Sequence, residues 1–175
     1  MAKNTVLTLK KKVDEGGKVT MVTSYDYTMA ALVEEAGIDM ILVGDSLGMT
    51  MMGYDSTIPV TMDDMVHHTR CVTRATSNTF VVGDMPFLSY EQDVATAVSN
   101  AGRLMKEGRC QAVKLEGGIE VCPQVKAMVE AGIPVVGHTG LTPQSVKAFG
   151  GFKVQGKSAK AAKKLVADAL ALEQA

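Results

Sequence analysis

Asp45, Asp84, Glu116 and His138 are polar side chains, and each stands where an apolar run stops: after Ile41-Leu42-Val43-Gly44, Phe80-Val81-Val82-Gly83, Ala112-Val113-Lys114-Leu115 and Val135-Val136-Gly137. A lone Asp after a strand is ordinarily an N-cap or a turn residue, and that reading stays open for each one singly. Asp45, Asp84 and Glu116 at successive strand ends point to more. Carboxylates packed together without a cation repel and raise one another's pKa values. An oxygen-only set with at most one histidine suits a hard ion, Mg²⁺ ahead of Ca²⁺ or Zn²⁺. The expected metal ligands are therefore Asp45, Asp84 and Glu116.

Lys114 lies two residues before Glu116, so both side chains leave a strand on the same side while Val113 and Leu115 point the other way. A lysine aimed into an interior needs a negative partner. An anionic substrate beside the metal supplies one, and a structural pair with a carboxylate is the alternative. His138 either polarises a substrate oxygen or satisfies a loop.

These residues need a scaffold that gathers strand ends, and the chain has that rhythm. Apolar, β-rich runs at 18–23, 39–44, 79–83, 111–115 and 133–137 alternate with helical patterns at 28–36, 62–76, 90–107, 120–131 and 158–174. Thr61-Met62-Asp63-Asp64 reads as a capping box that starts the second of these helices. Gly108 and Gly132 read as helix stops. A long loop rich in Gly and Met runs from Ser46 to about Val60, and Met49, Met51 and Met52 are candidates for a flap over a substrate. Strands alternating with helices imply parallel βαβ units. In such folds the active site gathers at the C-terminal ends of the strands. A closed (β/α)₈ barrel takes about 250 residues. The fold expected is α/β, a TIM-type barrel with the N-terminal five βα units present and the remainder missing. Residues 1–175 then form a single domain, the N-terminal portion of that barrel.

Composition narrows the function classes. The 175 residues are 46% hydrophobic and 21% charged with a net charge of −1, which favours no nucleic-acid or membrane partner. Cys71, Cys110 and Cys122 are widely spaced and read as reduced thiols rather than a zinc site or a disulfide framework. Met1-Ala2-Lys3-Asn4 opens a Lys-rich stretch with no apolar signal core, so the expected compartment is the cytoplasm.

Two patterns suggest other chemistry. Gly151-Phe152-Lys153-Val154-Gln155-Gly156-Lys157-Ser158 satisfies G-x-x-x-x-G-K-[ST], but a phosphate loop should follow a strand directly, and here the preceding strand ends near Gly137. His67-His68 are adjacent on a helix, diverge by about 100°, and are poorly placed to share one ion.

Several longer stretches carry a resemblance. Ile41-Leu42-Val43-Gly44-Asp45-Ser46-Leu47-Gly48, Gly53-Tyr54-Asp55-Ser56-Thr57, Asp84-Met85-Pro86-Phe87, Val113-Lys114-Leu115-Glu116-Gly117-Gly118 and Gly137-His138-Thr139-Gly140-Leu141-Thr142-Pro143-Gln144 resemble, in order, the ketopantoate (3-methyl-2-oxobutanoate) hydroxymethyltransferase family. The resemblance implies a (β/α)₈ barrel that assembles into large homo-oligomers, commonly decamers. It implies transfer of a one-carbon unit from 5,10-methylenetetrahydrofolate to 2-oxoisovalerate on the way to pantothenate. By matching motifs, Asp45 and Asp84 hold Mg²⁺, and Glu116 completes the site directly or through water. Ser46 and Lys114 contact the 2-oxo acid, with His138 beside it. The family's general base, a glutamate ending a sixth strand, is expected beyond Ala175, so little turnover is expected of this chain alone. Thr139 stands where the family has an apolar residue. Two other readings remain: a non-catalytic fragment, or a related Mg²⁺-dependent lyase or mutase of 2-oxo acids such as the phosphoenolpyruvate mutase group.

Overall fold

Short runs of apolar residues form a five-stranded parallel sheet in simple sequential order. The strands are β1 (Met21–Thr23), β2 (Met40–Val43), β3 (Phe80–Asp84), β4 (Ala112–Glu116) and β5 (Val135–His138). The computed structural model describes residues 3–175, and Met1 and Ala2 of the Lys-rich opening lie outside them. Between the strands run α2 (Tyr27–Glu35), α4 (Met62–Ala75), α5 (Val94–Arg103) and α6 (Cys122–Glu130), while α8 (Ala159–Gln174) follows β5. Three further helices, α1 (Val6–Asp14), α3 (Leu47–Thr50) and α7 (Val146–Phe149), complete the set.

Register explains the two faces. Leu42 pairs with Val82, Val82 with Ala112, Asp84 with Lys114, and Glu116 with His138. Paired positions in a parallel sheet share a face, so all of these point to one side. The opposite set, Ile41, Val43, Val81, Val113 and Leu115, is fully buried and packs with helix residues such as Ala30, Met65, Val72, Ala97, Leu104 and Met128. Phe80, Val82 and Ala112 form a smaller apolar cluster on the inner side, against which Leu9 of α1 packs with Met40, Leu42 and Val136.

The Lys-rich opening forms α1, which no helical pattern in the sequence signals. Its apolar side is sparse, and long-range contacts hold it. Asn4 Nδ2 donates to the Asp39 carbonyl at 2.9 Å, and Lys12 Nζ lies 2.7 Å from both Asp39 oxygens. Thr20 adds its N–H and hydroxyl to Asp39 Oδ2 at 2.7 and 2.9 Å. Burial alone would raise the Asp39 carboxyl, but the Lys12 ammonium and the Thr20 donors hold it below its usual value.

Two boundaries differ from expectation for packing reasons. The helix expected from Tyr90 begins only at Val94, capped by Asp93, whose side chain accepts from the Thr96 N–H. Tyr90 is instead buried in the loop before it. The helix expected to stop on Gly108 passes into a π turn over Leu104–Gly108, and the left-handed residue is Arg109, with φ 63°. Gly108 serves a close approach instead: a Cβ there would stand 3.0 Å from Thr69 Cγ2. The capping box at Thr61 and Asp64 forms as read.

The Asp39 anchor has a definite pH signature. A carboxyl whose folded-state pKa is depressed stabilises the fold above about pH 4, and that contribution is lost as pH falls through the lower folded value. Asp39→Asn should lower Tm at pH 7 by about 3–10 °C. Between pH 5 and pH 3 the wild type should lose more Tm than the variant, as followed by circular dichroism.

Candidate functional site

The strand ends place Asp84, Lys114, Glu116 and His138 on the inner face, and Asp45 follows β2 at the same level. Asp45, Asp84, Lys114 and Glu116 are all buried, with exposures of 3%, 2%, 8% and 6%. Buried charges need partners, and each finds one. Lys114 Nζ lies 2.5 Å from Asp84 Oδ1. The Asp45 backbone N–H donates to Asp84 Oδ2 at 3.1 Å. This approach depends on Gly44, where a Cβ would stand 2.9 Å from Ser46 Oγ and 3.4 Å from Asp84 Oδ2.

Glu116 turns to different neighbours. His138 Nδ1 is 3.1 Å from its Oε1, and the Gln144 backbone N–H donates to its Oε2 at 3.0 Å. Lys114 thus pairs with Asp84 on the next strand rather than with Glu116 on its own. Ser46 Oγ and the Tyr25 hydroxyl lie 2.9 Å apart.

Electrostatics set Asp45 apart. Burial and the neighbouring Asp84 charge push its carboxyl up to about 7, against the pull of the Gln144 amide and Lys114. Burial also raises Asp84, and the Lys114 ammonium opposes that rise. Two adjacent, desolvated carboxyls with hard oxygen donors fit a dication, which would offset the charge that burial penalises. Mg²⁺ is commonly held by one or two carboxylates plus substrate oxygens and waters, and Asp45 with Asp84 match that donor set. The three expected ligands do not converge: among the described residues no group of three His, Cys, Asp or Glu side chains is arranged to hold an ion. Both Glu116 oxygens are engaged, Oε1 by His138 and Oε2 by the Gln144 N–H.

Two further residues belong to the site. Gln144 Nε2 donates to Asp45 Oδ2 at 2.8 Å and to the Met85 carbonyl at 2.9 Å. The Tyr90 hydroxyl is 2.7 Å from Gln144 Oε1 and accepts from the Glu116 N–H at 3.1 Å. Gln144 ends the Gly137–Gln144 stretch that carries the family resemblance, and Tyr90 falls at the start of a helical pattern. Nothing local in either residue signals a contact spanning 99 residues.

A comparison with known proteins gives the family. Residues 3–175 match the family model described as ketopantoate hydroxymethyltransferase. The chain belongs to that family. It is 60% identical over 173 residues to the 3-methyl-2-oxobutanoate hydroxymethyltransferase of Enterococcus faecalis, covering 99% of this chain and 63% of that protein. It is 61% identical over 175 residues to the enzyme of the same name from Syntrophomonas wolfei, covering 100% of this chain and again 63% of the relative. The chain thus spans a little under two thirds of the length of these relatives.

Solved structures share the fold at low identity. Phosphonopyruvate hydrolase in complex with oxalate and Mg²⁺ has a TM-score of 0.73 at 15% identity, covering 99% of this chain and 60% of that one. Phosphoenolpyruvate phosphomutase from Streptomyces platensis subsp. rosaceus has a TM-score of 0.69 at 19% identity, covering 96% and 61%. A 2,3-dimethylmalate lyase of the PEP mutase/isocitrate lyase superfamily scores 0.64 at 16% identity, covering 94% and 60%. The fold is therefore α/β with a parallel sheet of the TIM-barrel type, as expected from the strand–helix rhythm.

The remaining sequence features take other roles. The loop satisfying the phosphate-loop pattern follows α7 rather than a strand, and the Ser158 hydroxyl is spent capping α8 by accepting from the Ala161 N–H. His67 is exposed, while His68 Nδ1 lies 2.7 Å from the Tyr25 carbonyl. Cys71, Cys110 and Cys122 are free thiols, and no described helix is long and apolar enough to cross a membrane. Met49 and Met51 are exposed around α3 and Met52 is partly buried against the main core.

The Asp84–Lys114 pair can be tested alone. Removing one partner of a buried ion pair leaves an uncompensated charge and costs about 3–5 kcal/mol. Lys114→Ala should approach that loss in urea unfolding. The double variant Asp84→Asn/Lys114→Ala should be more stable than Lys114→Ala, because no charge is then stranded.

Proposed function

We propose that this chain forms the N-terminal, acid- and metal-binding part of a (β/α)₈-type hydroxymethyltransferase, with residues 1–175 as one domain of that barrel. The reaction is transfer of a one-carbon unit from 5,10-methylenetetrahydrofolate to 2-oxoisovalerate, giving 2-dehydropantoate. The observation that carries this reading is the buried Asp45–Asp84–Lys114 cluster at the strand ends, in a chain about 60% identical to enzymes of that name.

Asp45 and Asp84 are the residues that hold Mg²⁺ in this proposal. Glu116 contributes through water, consistent with its turn toward His138 and Gln144. When bound, the ion supplies a Lewis acid for a keto oxygen. The Lys114 ammonium, paired with Asp84, would present its donors to a substrate carboxylate or a developing oxyanion. Ser46, linked to Tyr25, offers a hydroxyl at the same level. His138, about a third exposed and tied to Glu116, stands at the rim and is assigned to the substrate. The helix layer covers the outer face of the sheet, and Leu9 of α1 packs on the inner apolar cluster below the site. Proton abstraction from C3 is assigned to no residue of this chain.

The proposal extends to self-association, for which exposed Leu32, Val166 and Leu170 offer apolar surface, and to a cytoplasmic setting. The sequence match favours hydroxymethyl transfer over the lyase and mutase chemistries that share the fold.

Calorimetry of Mg²⁺ with 2-oxoisovalerate should show binding to the wild type that EDTA abolishes. Asp84→Ala should weaken it by at least about a hundredfold, a loss of about 2.7 kcal/mol. Unchanged affinity in that variant would remove Asp84 from the metal site and the reading with it.

A further inference from the structure

We propose that Gln144 is a positioning residue for the metal and 2-oxo-acid site, oriented by Tyr90, and that together they aim the Asp45 carboxylate. The inference rests on the reading of Asp45 as a metal ligand given above.

Gln144 is 5% exposed and Tyr90 1%, so neither has water as an alternative partner. The orientation of the Gln144 amide is decided by its neighbours. The Met85 carbonyl, 2.9 Å from Nε2, can only accept, so the amide must present its NH₂ there. The same NH₂ then faces Asp45 Oδ2 at 2.8 Å. The carbonyl end is left to Tyr90, whose hydroxyl accepts from the Glu116 N–H at 3.1 Å. Its single proton goes to the nearer acceptor, Gln144 Oε1 at 2.7 Å, ahead of the Glu116 carbonyl at 3.0 Å. Burial pushes the Tyr90 phenol up, so it stays protonated and a donor.

The hydrogen bonds therefore run one way, from the Glu116 N–H through the Tyr90 hydroxyl and the Gln144 amide to Asp45. The Gln144 backbone N–H closes the loop on Glu116 Oε2 at 3.0 Å. One residue, in the short turn Pro143–Ser145 after β5, thus ties the carboxylates that end β2 and β4. The consequence for Asp45 is geometric. With Oδ2 held by an N–H, rotation of the carboxylate is restricted, and Oδ1 would be the oxygen left for a cation. A fixed ligand loses no rotational freedom on binding.

The test is a double-mutant cycle read by calorimetry of Mg²⁺ with 2-oxoisovalerate, with Tm measured in parallel. Gln144→Met keeps side-chain length and removes both polar ends. Tyr90→Phe removes only the hydroxyl and keeps the ring. Gln144→Met should weaken binding about tenfold and Tyr90→Phe about threefold. Tyr90→Phe should have no further effect in the Gln144→Met background, because the hydroxyl then has no amide to orient. A purely structural role would lower Tm and leave this non-additivity in Kd absent. Wild-type affinity in Tyr90→Phe, or additive losses in the double variant, overturns the inference and leaves the function standing. If Gln144→Met does not fold, Tyr90→Phe decides: weaker binding with Tm within about 2 °C of wild type supports the relay. Failure of the wild type itself to bind overturns both readings.

Discussion

Lys114 and Asp84 are register partners on β4 and β3, and the site is organised around the ion pair they make in a nearly dry interior. The register that stacks Leu42, Val82 and Ala112 on the inner face also stacks Asp84 and Lys114, two positions further on, and Glu116, four positions beyond Ala112. A slip of β4 by one residue would turn Lys114 into the helix layer, against residues such as Leu104 and Met128, and leave Asp84 without its cation. The pairing of the strands and the chemistry of their ends are therefore one constraint.

Around that pair the acidic residues divide into two groups. Asp45 and Asp84 share a backbone-to-carboxylate bond and the proximity of Lys114. Glu116 looks toward β5, where His138 and Gln144 hold it. Three carboxylates at successive strand ends thus yield a pair suited to an ion and a third bound into the hydrogen-bond frame. Gln144 joins the groups without adding charge. A neutral amide can donate to one carboxylate and accept from a phenol, whereas an ammonium there would compete with a cation for Asp45.

The lower end of the sheet obeys the same economy of buried charge. Asp39 stands at the start of β2 and gathers Lys12 and Thr20, fastening α1 under the inner face so that Leu9 can cover Phe80 and Val82. Glu34 acts similarly at the end of α2, accepting the backbone N–H groups of Ser77, Asn78 and Thr79 just before β3. In both places a carboxylate accepts several donors at once, which is how an anion is tolerated near a core. These ties position the first strands, and those strands carry Asp45 and Asp84.

Much of this was legible in the residues. The apolar runs ending in Asp45, Asp84, Glu116 and His138 located the strands and the level of the site, because a parallel strand covered on both faces is mostly apolar up to its C-terminal end. The two-residue offset of Lys114 and Glu116 placed both on the inner side, and the Thr61 capping box started its helix. These are local signals, carried by neighbours in sequence. Tertiary structure decided the partners. Lys114 took Asp84, not Glu116, because the nearer charge lay across the sheet. Arg109 took the left-handed turn because Gly108 was needed against Thr69. Tyr90 and Gln144 became part of the site because two loops meet there, 54 residues apart. Which strand ends carry charge is a property of the chain; which charge answers which depends on distances that exist only after the sheet has formed.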